Sequence, residues 1–295
     1  MSDLQGPRFD IGGGLFQSGV FMAEIVVERG HVAPPGCRAN LRKKLWAAWK
    51  LAPRPVPKAK ELKECFAFHT RTERLFRTKE LIIDCAGGHG ALGMAFKLHQ
   101  RSAKVIIGDL HTPDSFFTLQ RVWFSQEEIS SGHVEHKKVD IRDRGWLLRL
   151  LYAEQVAPED CAVVGCHVCN ALTDELMDEC LGAHVEFAIM GCCHGRTGSQ
   201  GRASKDSAKE LGVSLGTLVD MTRLGVIMKQ DGFIAKLRTI DANITPENRI
   251  LIGLYEDANV DGSAADQTKK ALGKVARVYD RVFSKQSFSH DVKAE

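Results

Sequence analysis

From residue 80 onward, short apolar runs alternate with segments whose apolar positions recur every three or four residues. LIIDCA (81–86), AKVIIGD (103–109), HVEHKKVDI (133–141), CAVVGC (161–166) and VEFAIMGC (185–192) read as strands. Helical spacing fills 90–100, 114–126, 145–155 and 173–181 between them. Strand alternating with helix predicts a parallel sheet covered by helices on both faces. After residue 195 the rhythm changes. A polar loop (196–205) and a helical stretch (207–224) precede FIAKLRTID (233–241) and RILIGLYE (249–256), which flank a short turn at 243–248. Two strands across such a turn predict a hairpin, so the last strand runs antiparallel to the sheet. A final helix over 264–282 carries Leu272, Val275, Tyr279 and Val282 as its apolar stripe. Upstream, a Gly-rich start leads into a weak alternation around 20–26, and 38–51 sets Leu41, Leu45 and Trp49 at helical spacing. APRPVP (52–57) is a stiff linker, and 58–76 is again helical. These patterns divide the chain into an N-terminal basic helical and loop extension (1–79), an α/β domain (80–283) and a frayed tail (284–295).

Composition narrows the class. At 295 residues, 44% apolar and 26% charged, the chain can bury a real core and is neither collagen-like nor low-complexity. No apolar run approaches the ~20 residues that span a bilayer. The first residues carry acids and no apolar stretch, so no secretion signal is expected and the compartment is cytoplasmic or nuclear. Nine cysteines, six of them between Cys161 and Cys193, then read as reduced thiols available for packing, metal or chemistry. The net charge of +3 conceals an asymmetry: residues 36–80 hold thirteen Lys/Arg against four acids, +9, leaving −6 for the rest. A basic segment on a mildly acidic body suits a phosphate-rich partner, although a solvated lysine-rich helix face has the same composition.

The candidate chemistry sits at strand ends. DCAGGHG, from Asp84 to Gly90, falls where the first strand turns into the first helix of the domain. Glycines there let a nucleoside approach the backbone and leave helix N–H groups free. Asp109 ends the second strand, where a carboxylate can accept both ribose hydroxyls; Asp140 and Ile141 end the third, on the adenine side. The segment resembles methyltransferase motif I, an acid followed by G-x-G-x-G, with Ala86 in place of the first glycine, a methyl tolerable if its φ stays negative. Five parallel strands and a closing hairpin match the class I S-adenosylmethionine (SAM) methyltransferase fold better than a nicotinamide-binding fold, whose sixth strand is parallel. The predicted architecture is therefore a doubly wound, mostly parallel seven-stranded sheet with an antiparallel last strand, holding SAM through Asp84, Gly87, Gly88, Gly90, Asp109, Asp140 and Ile141.

Two further motifs flank the switch point of the sheet, H-x-C-x-x-x-T-D from His167 to Asp174 and C-C-H-x-R from Cys192 to Arg196. Together they resemble a methyltransferase group that includes the eukaryotic tRNA 2′-O-methyltransferases. Asn170 stands where that group usually has glycine, Gly195 where the tRNA enzymes have a second histidine, and their zinc-finger segments are absent. The resemblance implies a SAM-dependent enzyme whose acceptor is RNA, methylated at 2′-O or on a base. Its candidate catalytic residues are His167, Cys169, Asp174, Cys193 and His194. His167 is a candidate general base with Asp174 to orient it; Asp174 equally complements the dipole of a helix starting near Thr173. His194 is either a substrate contact or a hydrogen-bonded core histidine. Cys166, Cys169, Cys192, Cys193 and His194 could form a zinc site, but a loop crowded by SAM argues against it and no metal is expected. Cys169 or Cys193 could attack a pyrimidine ring, although the residues preceding them are not those of cytosine-C5 enzymes. Two alternatives to RNA stay open: a small-molecule acceptor with the basic segment as a lid, and a catalytically silent SAM-fold scaffold.

Overall fold

A computed structural model describes residues 35–255 except Ser102, Cys192, Cys193 and 195–199, with side chains from 41 onward and not for 200–204. The strand predicted at 20–26 and the helix at 264–282 lie outside the described residues.

The elements follow in the order α1 (Pro35–Leu51), α2 (Ala59–Thr72), β1 (Leu81–Cys85), α3 (Ala91–His99), β2 (Lys104–Asp109), α4 (Asp114–Trp123), α5 (Gln126–Ser130), β3 (Val134–Lys138), α6 (Trp146–Glu154), β4 (Cys161–Gly165), α7 (Ala171–Gly182), β5 (Glu186–Ile189), α8 (Gln200–Glu210), α9 (Leu215–Lys229), β6 (Phe233–Thr239) and β7 (Arg249–Tyr255), with a 3₁₀ turn at Pro158–Asp160. One seven-stranded sheet has the order β3-β2-β1-β4-β5-β7-β6. The first five strands pair in parallel and β7 is antiparallel to both neighbours. This is the doubly wound methyltransferase architecture expected from the pattern. The chain leaves β1 for β2 and β3, then crosses back to β4, so the carboxyl ends of β1 and β4 flank the switch point where such sheets bind ligands.

The central strands are buried on both faces, which is why they read as continuous apolar runs. Their residues still alternate in direction. Ile82, Val105, Ile107, Ala162 and Val164 join one core with α1 to α4. Leu81, Ile83, Ile106, Cys161 and Val163 join the other with α6, α7 and α9. Helices α1 and α2 are part of the first core. Leu62 and Phe68 are wholly buried, Phe66 stacks on Trp123 with centroids 5.9 Å apart, and the Trp123 indole N–H donates to the Leu45 carbonyl at 3.2 Å. The basic face of these helices therefore points outward from an apolar inner face.

Three boundaries depart from the expected ones. The stretch 114–126 breaks because Phe124 and Ser125 are extended. Ser125 then opens α5, accepting from the Glu128 N–H at 3.2 Å while Glu128 accepts from the Ser125 N–H at 2.8 Å. The stretch 207–224 is two helices, separated at Gly212, which has φ +66°, with Ser214 capping α9 through the Thr217 N–H at 3.0 Å. Strand β3 stops at Lys138, so Asp140 and Ile141 lie in the turn beyond it.

Candidate active site at the switch point

The loop after β1 is built by close approach. A Cβ on Gly87 would sit 2.8 Å from both the Asp84 carbonyl oxygen and Ile107 Cγ2, so only glycine fits. At Gly88, φ is +48° and an added Cβ would meet nothing within 4 Å, so this stretch of backbone borders open space. Ala86 has φ +52°. The methyl group thus occupies the left-handed region, contrary to the expectation of a negative φ, and the usual cost of about 1–2 kcal/mol applies. Its N–H is held at 2.8 Å by the Gly108 carbonyl of β2.

The acids divide into distinct roles. Asp84 is 1% exposed, and its Oδ2 accepts from the Gly93 N–H of α3 at 2.9 Å. Burial pushes its carboxyl up to about 7 against that hydrogen bond, with a smaller push from Asp109. Asp109, half-buried at the end of β2, accepts from the Gly88 N–H at 3.0 Å, so the glycine loop and the carboxylate at the end of β2 are tied together. Asp140 is gripped by Arg142, whose Nε and NH2 each donate at 2.9 Å. That side-chain pairing, with the Arg142 N–H, holds the exposed carboxyl below its usual range. Ile141 is buried.

Helix α2 closes the site from above, through two acids that the expectations did not single out. Glu64, buried on α2, lies with Oε2 3.2 Å from Nε2 of half-exposed His167. The pair is close enough for a hydrogen bond without being aligned for one; catalytic contacts often tighten only when ligand is bound. Lys60 stands 3.7 Å from the other Glu64 oxygen. One turn earlier, Glu61 accepts from the Lys58 N–H at 2.8 Å, capping the helix, and lies 3.9 Å from His89 in the glycine loop. Burial lowers the His89 imidazole to about 4, opposed by Glu61 and reinforced by His167. Its Nδ1 accepts from the Ala91 N–H at 3.2 Å, so a neutral His89 caps α3. Glu61 and Glu64, spaced i and i+3, therefore face two histidines from loops after β1 and β4. Their signal in the sequence is two acids on the inner face of a helix that is otherwise basic.

Other candidates fall elsewhere. Asp174 does not orient His167: it receives a two-pronged bond from Arg223 of α9, Nε to Oδ1 at 2.7 Å and NH2 to Oδ2 at 3.0 Å. Arg223 also donates to the Asn170 carbonyl at 3.0 Å. Cys169 is disulfide-bonded, which corrects the expectation of a free thiol and withholds it as a nucleophile in this state. Cys193 lies outside the described residues. His194, 3% exposed, holds Nε2 2.8 Å from Asp220 Oδ1 and Nδ1 3.3 Å from Glu247 Oε2. Asp220 is bound in turn by Arg249 at 2.7 Å. His194 is thus the hydrogen-bonded core histidine, in an ionic network on the α9 side, whereas Glu64 and His167 meet on the α2 side. Cys166 is buried, its thiol pushed well up by contact with the Cys65 thiol and by burial. Asn170, at the position usual for glycine, has φ +55°.

No protein-family model and no curated protein matches the chain. Solved structures with a similar fold include an O-methyltransferase family protein from Burkholderia thailandensis, 15% identical over 68% of this chain and 60% of that one, with a TM-score of 0.37. They also include an rRNA methylase from Streptococcus thermophilus, 14% identical over 64% of this chain and 94% of that one, TM-score 0.37. A third is the SAH-bound Podospora anserina methyltransferase PaMTH1, 12% identical over 83% of this chain and all of that one, TM-score 0.42. The match spans 60% of the first of these proteins and 50% of the MycE methyltransferase of mycinamycin biosynthesis.

Two outcomes follow from the loop. Ala86→Gly removes the left-handed methyl but loosens the unfolded chain, so a net gain of roughly 0.5–1 kcal/mol is expected in urea unfolding; a loss of stability would contradict the strained backbone. For Asp84 the folded value of about 7 exceeds the ordinary 3.8. Between those pH values the folded state holds a proton that the unfolded chain releases. The stability Asp84 provides is therefore full below about pH 4 and declines as pH rises through 7. Asp84→Asn keeps an oxygen for Gly93 without the charge. Unfolding from pH 5 to 8 should show the variant gaining on the wild type by up to about 1.4 kcal/mol per pH unit; parallel curves would refute the buried, protonated Asp84.

Proposed function

We propose that the chain is a SAM-dependent methyltransferase that uses His167 as the base on its acceptor, with Glu64 as the positioning residue. The observation that carries the reading is the junction at the switch point: a glycine loop with open space over Gly88, tied to Asp109, beside a histidine faced by a buried carboxylate. The residues fit a nucleoside cofactor: Asp109 to accept ribose hydroxyls, the 86–90 backbone to lie along it, and Asp140 with Ile141 at its base. When bound, SAM supplies an electrophilic methyl group. With Nε2 turned to Glu64, His167 has Nδ1 available to take the proton that an O–H or N–H acceptor loses, and the Glu64 carboxylate stabilises the resulting imidazolium.

RNA is the acceptor class we favour. Lys43, Lys44, Lys50 and Lys63 all lie exposed on α1 and α2, forming a basic outer face next to the roof of the site, as a polyanion requires. A small-molecule acceptor is the second reading. It is favoured by the two acids that α2 turns toward the site, which repel phosphate.

Tritiated SAM offered in parallel to total RNA and to a small-metabolite extract separates the two, and label in neither would support the silent scaffold. Asp109→Ala should weaken SAM binding ten-fold or more by calorimetry, a loss of about 1.5–3 kcal/mol for charge-assisted bonds; unchanged affinity removes the ribose assignment. His167→Ala should cut turnover by roughly 10²–10⁴-fold with SAM affinity within a few-fold. Glu64→Gln should lower kcat and displace the pH–rate profile, with partial rescue by Glu64→Asp. If Glu64→Gln leaves both kcat and pH profile untouched, Glu64 has only a packing role.

A further inference from the structure

A second cluster of imidazoles and carboxylate lies on the opposite end of α2, away from the switch point. His69, near the C-terminus of α2, Glu73, the residue capping that helix, and His99, the last residue of α3, bring one ligand atom each within 4.8 Å of one another. His69 is fully buried and the other two are half-buried. The imidazole rings are in contact, centroids 4.4 Å apart, and His69 Nδ1 is 3.5 Å from Glu73 Oε2. From these residues we propose a binding site for a divalent transition-metal ion of the zinc type, held by two imidazole nitrogens and one carboxylate oxygen, independent of the methyl-transfer site.

Three observations support it. The donor set is the mixed nitrogen and oxygen set that suits zinc, with three protein ligands leaving one position for water. The tautomer of His99 is fixed: its Nδ1 lies 2.9 Å from the Ala95 carbonyl of its own helix. That carbonyl can only accept, so Nδ1 carries the hydrogen and Nε2 keeps the lone pair a metal needs, the usual arrangement behind a ligating histidine. The cluster also stands where α2 and α3 both end, and the negative ends of two helix dipoles favour positive charge. Around zinc, with bonds of about 2.0–2.1 Å, three such atoms stand roughly 3.3 Å apart. The side chains must therefore close by rotation, and Arg42, 3.9 Å from Glu73 Oε2, must yield that oxygen. An ion there would staple α2 to α3 and so stiffen the helix that carries Glu61 and Glu64.

The test uses the full chain stripped of metal by a chelator and then titrated with Co²⁺ and with Zn²⁺. One equivalent of Co²⁺ should produce a visible ligand-field spectrum without thiolate charge-transfer bands, and Zn²⁺ should bind by calorimetry and raise the Tm. His99→Gln and Glu73→Gln, both at half-buried positions and checked for folding by circular dichroism, should each weaken Zn²⁺ at least ten-fold. His111→Ala, at an exposed histidine, should leave it unchanged. Absence of binding to the wild type, thiolate bands, or equal affinity in His99→Gln would each overturn the site and leave the three residues as an ion-paired brace with Arg42.

Discussion

The close approach of α3 to the edge of β1 and β2 is the constraint on which the rest of the site depends. A Cβ on Gly93 would lie 2.6 Å from Ile107 Cδ1 and 3.1 Å from Asp84 Cβ, and one on Gly90 would lie 2.9 Å from Ile107 Cγ1. With those positions vacant, the helix settles close enough for the Gly93 N–H to reach Asp84. That single bond satisfies a carboxyl group otherwise cut off from water, where an unsatisfied polar group costs about 1–3 kcal/mol. It also orients the helix N-terminus over the loop. Asp109 then needs only to fold back onto Gly88 for the loop to be fixed at both ends.

Strain gathers at this junction. Ala86 begins the loop after β1 and Asn170 ends the loop before α7; both have positive φ, and both stand where the motifs usually carry glycine. Non-glycine residues persist in such conformations only where the surroundings over-determine them. Here the surroundings can be named: the Gly108 carbonyl holds the Ala86 N–H, and Arg223 holds the Asn170 carbonyl while binding Asp174. The Arg223–Asp174 pair thus has a clear task. It clamps a strained loop, and Thr173, donating to the Val168 carbonyl at 2.6 Å, closes the same loop from inside.

Most of the architecture was legible because the sheet is buried on both faces, and a parallel strand buried twice must be a short apolar run. The glycine loop and the closing hairpin were legible for similar reasons, since each is a local requirement of backbone shape. What escaped was long-range pairing. Asp174 lies seven residues from His167, and nearness in sequence made it the natural partner; the carboxylate that faces His167 comes from Glu64, more than a hundred residues earlier. Sequence charge counts treat 36–80 as a single basic block, whereas the helix separates it into a basic outer face and two inward acids. His194 stayed between two readings for a related reason: its partners Asp220 and Glu247 come from later elements that no motif marks.

The two histidines beside the switch point therefore end in different electrostatic settings, and the difference decides what each can do. His194 is enclosed with Asp220, Arg249 and Glu247, where removing one member strands the others and costs about 3–5 kcal/mol in comparable buried pairs. His167 has one carboxylate, partial exposure and a loop fastened at its far end, so it borders the site, whereas His194 is enclosed. The helix that supplies this carboxylate is itself bound into the apolar core by Leu62 and Phe68. In consequence the N-terminal segment is a wall of the site: the same turns that present lysines to solvent hold Glu64 against the imidazole, and neither arrangement survives without the packing of α2 on α3.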